Sequence, residues 1–207
     1  IQTMFLGGGT PSLFSAKSLN RLLSHIIDHF NVAYDAEITM EANPGSLSQA
    51  YLHALQQTPI NRLSIGVQSF QQPFLSRLGR IHNPNDAKSA IEHAMDAGFA
   101  RINLDLMYGL PQQNLQQALD DLQQACEYPI EHLSWYQLTI EPNTYFYHHK
   151  PPQPKHDALF EMQEAGQAYL RQQGFHGYEI SAYQKNQQPC RHNLNYWQFG
   201  DYVGIGA

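Results

Sequence analysis

At 207 residues, with 42% hydrophobic and 14% charged side chains, the chain can bury a sizeable core, which excludes an intrinsically disordered segment. A formal charge of −6 without any basic stripe argues against a nucleic-acid binder. Two cysteines cannot build a disulfide framework, no secretory leader opens the sequence and no apolar run reaches the roughly 20 residues of a bilayer span, so the expected location is the cytoplasm.

In chain order, Thr3–Leu6 is the first expected strand. It begins without lead-in, and 202–207 stops inside an apolar run, so both ends read as cut. A glycine turn, Gly7-Gly8-Gly9-Thr10-Pro11, leads to a helix whose stripe is Leu19, Leu22, Leu23, Ile26, Ile27 and Phe30. Ala36–Met40 is the second strand, with Glu41 at its end and a turn at Gly45. Arg62–Val67 is the third, followed by Gln68 and, further on, Arg80. Asn83-Pro84 can cap a helix that Gly98 ends, and Arg101–Leu106 is the fourth strand. Gly109-Leu110-Pro111 turns the chain into a helix capped by Asn114, with Leu115, Ala118, Leu119, Leu122 and Cys126 on its core face. His132–Leu138 is the fifth strand. Its near-apolar character, like that of the others, suits parallel strands covered on both faces. After it the rhythm breaks. A loop over 141–156 precedes a helix bearing Leu159, Met162, Tyr169 and Leu170. Then come a short strand, Tyr178–Ala182, a polar loop and a closing strand, Val203–Ile205.

Successive βα units imply a parallel sheet, open or closed, with ligands at the carboxyl ends of its strands. The residues there invite two readings each. Three glycines after the first strand let a backbone approach a ligand, or simply make a tight turn; they match neither a GxGxxG fingerprint nor a Walker loop. Glu41 suits a ligand ammonium or hydroxyl, or caps its loop. Gln68 is a neutral hydrogen-bonder suited to a ribose or an amide. Asp105, inside an apolar run, is either a buried structural acid or a ligand acceptor. Arg80 faces a carboxylate or a surface partner. His25 and His29 are an i, i+4 pair without an HExxH signature.

Taken together, the phrases FLGGGTPS, EANPGS, NRLSIGVQSF, LGRIHN, INLDLMYGLP, LTIEPNT, YEISAY and CRHNLNYWQFGDYVGIGA run in one order over essentially the whole chain. They resemble the radical-SAM family that contains the oxygen-independent coproporphyrinogen dehydrogenases (HemN type) and the haem chaperones (HemW type). The resemblance implies an α/β fold: a partial TIM-like (β/α) barrel lacking its first, cluster-bearing strand. Residues 1–140 would form the barrel core and 141–207 a barrel-closing extension. It also implies S-adenosylmethionine (SAM) across the strand ends, with the Gly8-Gly9-Thr10 backbone holding the methionine end and Glu41, Gln68, Arg80 and Asp105 contacting a bound SAM. Thr139 is a weaker match to another such position. The family's CxxxCxxC motif, whose three thiolates hold a 4Fe–4S cluster, is absent: Cys126 and Cys190 match neither its number nor its spacing. The cluster ligands are therefore expected upstream of Ile1.

Within the family, His192-Asn193-Leu194-Asn195-Tyr196-Trp197 matches the HNxxYW pattern associated with haem binding in HemW-type proteins. On that reading His192 is a candidate haem-iron ligand, and haem-acceptor proteins and an electron donor are the implied partners. A capping His192 over core aromatics is the plainer alternative. The rival function is oxidative decarboxylation of porphyrinogen propionates by a HemN-type enzyme.

Overall fold

The computed structural model describes residues 1–206. Strands β1 (Thr3–Leu6), β2 (Glu37–Ala42), β3 (Arg62–Gln68), β4 (Arg101–Tyr108) and β5 (His132–Gln137) lie side by side in chain order, all parallel. Helices α1 (Ala16–His29), α2 (Gln49–Leu55), α3 (Gln72–Arg77), α4 (Pro84–Asp96) and α5 (Leu115–Cys126) fill the crossovers. After β5 come α6 (Tyr145–His148), α7 (His156–Gln172), two short strands β6 (His176–Gly177) and β7 (Ala182–Gln184), and finally α8 (Arg191–Trp197). β7 joins the sheet antiparallel to β5, and β6 pairs antiparallel with β7.

Capping chemistry fixes the helices where the sequence places it. Asn83 and Asn114 close reciprocal capping boxes with Asp86 and Gln117, and Ser15 accepts the Ser18 N–H at the start of α1. Gly98, with φ +90°, ends α4 in the left-handed region.

The strands differ from the expectation of two apolar faces. Their side chains alternate, as a pleated strand requires. One set, including Ile38, Met40, Leu63, Ile65, Leu104, Leu133 and Trp135, is buried under the helices. It meets Leu23, Leu52, Ile91, Leu122, Met162 and Leu170 in one continuous core that draws on residues both before and after 140. The other set is polar yet equally buried: Glu37, Thr39, Arg62, Ser64, Asn103 and His132. These line the concave side of a curled sheet. Curvature shows in the contacts, because Arg101 on β4 reaches past β3 to Glu37 on β2.

Other departures have local causes. On α1 only Leu19 and Leu23 are buried, while Leu22, Ile27 and Phe30 are exposed, because this helix covers the sheet's edge. Tyr178 lies in the bend between β6 and β7, not in a strand, since its hydroxyl turns inward to His132. The expected polar loop around His192 is helical. Val203 and Ile205 form no strand and are exposed, with no backbone ladder partner among the described residues; Ala207 lies outside those residues.

Asp121 on α5 is a buried acid that the sequence did not single out. It accepts the Ser69 hydroxyl at 2.7 Å and the Phe70 N–H at 2.8 Å, locking the turn after β3. Burial, its largest influence, pushes its carboxyl from 3.8 up to about 6. A raised folded-state value means that stability is fully present below the unfolded value and is lost as pH rises through about 6. Urea midpoints of wild type and Asp121→Asn should therefore diverge in wild type's disfavour between pH 4 and 7. A constant difference across that range would remove this assignment.

Candidate functional site

The carboxyl ends of β1 to β5 surround a cleft of about 230 Å³. β1 runs into Gly7–Thr10, where Gly8 sits at φ +105°, a conformation that a side chain would strain. At Gly7 an added Cβ would lie 3.2 Å from a Glu41 carboxylate oxygen, so the bare backbone leaves room for that group. β2 delivers Glu41, β3 Gly66 and Gln68, β4 Asp105 and β5 Tyr136, while Arg80 enters from the segment after α3. Gly8, Gly9, Thr10, Glu41, Gln68, Arg80 and Asp105 thus converge on one cavity. Thr139 does not join them; it is exposed, and its hydroxyl turns back to the Gln137 carbonyl.

Gln68 is buried at φ +66°, an uncommon conformation for a residue with a side chain and a form of strain that the Asp121 lock beside it supports. The Tyr136 hydroxyl donates to its Oε1 at 2.9 Å, which leaves the amide nitrogen to face the cleft as a donor. Burial, then the nearby Asp105, raises the Glu41 carboxyl, and the Gly8 N–H opposes that rise. Burial also raises Asp105, against donors from Ser64 at 3.0 Å and Asn103 at 2.8 Å and the charge of Arg62. Tyr136 is pushed up to about 12 and stays a neutral donor. Two carboxylates and one guanidinium, none ion-paired among the described residues, suit a ligand bearing cationic, carboxylate and hydroxyl groups together.

His192 occupies a second locus. It stands on α8 against the start of β1, half-buried, with its Nδ1 2.9 Å from the Thr3 hydroxyl. Its ring stacks on Phe5 at 5.2 Å and meets Tyr196 edge-on at 5.2 Å. Burial lowers its pKa, so the imidazole is neutral, and its Nε2 has no hydrogen-bond partner among the described residues. Around it Tyr196, Trp197, Phe199 and Tyr202 are exposed.

Both thiols are held in the protonated form. Burial raises Cys126 to about 11 and raises Cys190, whose Sγ–H points at Glu37. His25 and His29 lie at the surface with their rings tilted to one another, centroids 4.0 Å apart. Among the described residues no group of three or more His, Cys, Asp or Glu is placed to hold a metal ion, and no helix is long and apolar enough to cross a membrane. The residues sequence reasoning missed are the inner polar ones: Arg62, Ser64, Asn103, His132 and Tyr136. Alternation at period two within Arg62–Gln68 and Arg101–Asp105 was the signal that could have found them.

The profile of the Radical SAM superfamily matches residues 1–125. The chain is 52% identical to a protein named haem chaperone HemW from Escherichia coli (strain K12) over all 207 residues, covering 55% of that relative. It is 50% identical to the haem chaperone HemW of Haemophilus influenzae, covering all of the chain and 54% of that relative. The chain therefore spans about half the length of the curated relatives it matches. Among solved structures, the coproporphyrinogen III oxidase HemN of Escherichia coli, described as a radical SAM enzyme, superposes with a TM-score of 0.82. It is 24% identical and covers 96% of this chain and 46% of that one.

Proposed function

The chain belongs to the radical SAM superfamily, and from that membership we propose that it is part of a haem chaperone with a SAM site at the carboxyl ends of its strands. The family implies SAM and a 4Fe–4S cluster. The cleft fits SAM: Gly8, Gly9 and Thr10 offer bare backbone to its methionine end, and Glu41, Gln68, Arg80 and Asp105 match its ammonium, hydroxyl and carboxylate groups. A 4Fe–4S cluster does not fit the residues described. It needs three thiolates, and the two thiols here are protonated and apart from the cleft. In this reading residues 1–140 form the SAM-binding barrel, and 141–207 close it and carry the haem locus.

The observation that carries the haem reading is His192. Its Nδ1 is held by Thr3 and its Nε2 is left over, the arrangement in which a second partner orients a metal-ligating imidazole. The exposed Tyr196 and Trp197 beside it can cover a porphyrin face. Haem would then pass to acceptor proteins.

Haem titration of the protein tests this. Wild type should show the Soret shift of imidazole ligation, and His192→Ala should lose it while keeping SAM affinity. Cys190→Ala should leave the spectrum as in wild type. An intact spectrum in His192→Ala would overturn the ligand assignment, and anaerobic decarboxylation of coproporphyrinogen by the same preparation would favour the HemN-type enzyme. Glu41→Ala should weaken SAM binding by about 1–3 kcal/mol through loss of a charged hydrogen bond; unchanged affinity would remove the SAM site.

A further inference from the structure

Below the cleft, an unbroken chain of hydrogen bonds runs over the inner faces of β3, β4 and β5 and through Tyr178, in the bend between β6 and β7, down to α8. Its direction follows from a group whose role is not in doubt. The Cys190 backbone N–H, at the start of α8, donates to the Tyr178 hydroxyl oxygen at 3.3 Å, and the Asn193 side-chain amide donates to the same oxygen at 3.2 Å. With the Asn193 amide nitrogen on that oxygen both lone pairs are taken, and Tyr178 donates its own proton to its neighbour, His132 Nε2, at 2.7 Å. His132 Nε2 is thus bare and the ring proton sits on Nδ1, which donates to Asn103 Oδ1 at 2.6 Å. Ser134 donates to the same oxygen at 3.1 Å.

The Asn103 amide is then fixed with its nitrogen upward, donating to Asp105 Oδ1 at 2.8 Å and to Ser64 Oγ at 2.8 Å. Ser64, having accepted, donates to Asp105 Oδ2 at 3.0 Å. Every proton along the chain points from α8 towards Asp105. A flipped Asn103 amide would set its oxygen against the carboxylate and its nitrogen against the His132 N–H. The opposite His132 tautomer would set a bare nitrogen against Asn103 Oδ1. Burial, reinforced by the charges of Arg62 and Arg101, keeps His132 neutral, which agrees with this order.

We propose that Tyr178, His132 and Asn103 are positioning residues that hold Asp105 as an acceptor-only carboxylate facing the cleft, and that the seating of α8 sets the direction of the whole chain. The proposal rests on the reading of the cleft as a SAM site, where such a carboxylate would accept from ligand hydroxyls. It ties the helix bearing His192 to the opposite end of the barrel through five side chains.

Two measurements test it. In protein labelled with ¹⁵N-histidine, His132 should give the NMR pattern of the Nδ1–H tautomer, and Tyr178→Phe should shift that pattern without unfolding the protein. A dominant Nε2–H tautomer in wild type would overturn the proposal, whatever SAM does. In SAM titrations, Asp105→Asn should weaken binding about tenfold and Tyr178→Phe about fivefold, as expected for losing or misaligning a hydrogen bond to a charged group. The double variant should bind no more weakly than Asp105→Asn alone, because the two act through one group. Additive losses, or no loss in Tyr178→Phe, would overturn the coupling while leaving the SAM site standing. No loss in Asp105→Asn would instead overturn the reading of the cleft, and the tautomer would still report on the chain of hydrogen bonds.

Discussion

Replacing Arg101 by alanine should destabilise the protein by about 3–5 kcal/mol, the cost of leaving buried carboxylates without their cation. Arg101 is the hub of the barrel floor. Its Nη2 lies 3.3 Å from Glu37 and its Nε 3.1 Å from Glu131, and it also donates to the Pro189 carbonyl just before α8. Glu37 is 3% exposed, and Glu131 spends its other oxygen on the Ile102 N–H, so neither acid can turn to solvent. Glu37 also accepts from the His192 N–H and the Cys190 thiol, and the loss should therefore loosen α8 as well. Urea unfolding monitored by far-UV circular dichroism checks this. The double variant Arg101→Met with Glu37→Gln should recover part of the loss. A deficit below about 1 kcal/mol in Arg101→Ala would mean that water already replaces the guanidinium.

Gly166→Ala should cost about 3 kcal/mol, the upper end of typical overpacking. On helical propensity alone the change would stabilise α7 by roughly 1 kcal/mol. Packing reverses the sign. A Cβ at Gly166 would fall 1.9 Å from Cη2 of Trp135 and within 2.6 Å of two more ring carbons. Trp135 cannot retreat: it is 2% exposed and its ring lies 4.3 Å from that of Tyr108. Either α7 lifts off the sheet or the indole leaves its place, and thermal unfolding should show the loss. A melting temperature at or above wild type would show that α7 shifts freely.

Much of this architecture is legible in the sequence because parallel βα units advertise themselves locally. Caps such as Asn83 and Asn114 and the five strand cores depend on neighbours a few residues away, and the structure places all of them within a few residues of the expected bounds. Gly8, Glu41, Gln68 and Asp105 stand out for the same reason, as polar or flexible residues at strand ends. What escapes the sequence depends on distant partners. Arg62 and Asn103 look like interruptions of apolar strands until the sheet curls and gives them an interior to face. Tyr178 reads as a strand residue because nothing nearby reveals that His132 waits 46 positions away. The helical form of 191–197 is hidden similarly, since its anchors are Glu37, Asp35 and Thr3.

The contact between His192 and Thr3 joins residues 189 positions apart, whereas each pair of neighbouring parallel strands is closed by a single crossover. Loop-closure entropy orders these events, so the βα units assemble first and α8 docks on β1 last. Translation imposes the same order. At about 5–20 residues per second, β1 waits roughly 10–40 s on the ribosome before α8 emerges to cover it. During that interval the inner face of β1, Phe5 included, has no floor beneath it, and this is when a nascent chain most needs protection from its neighbours.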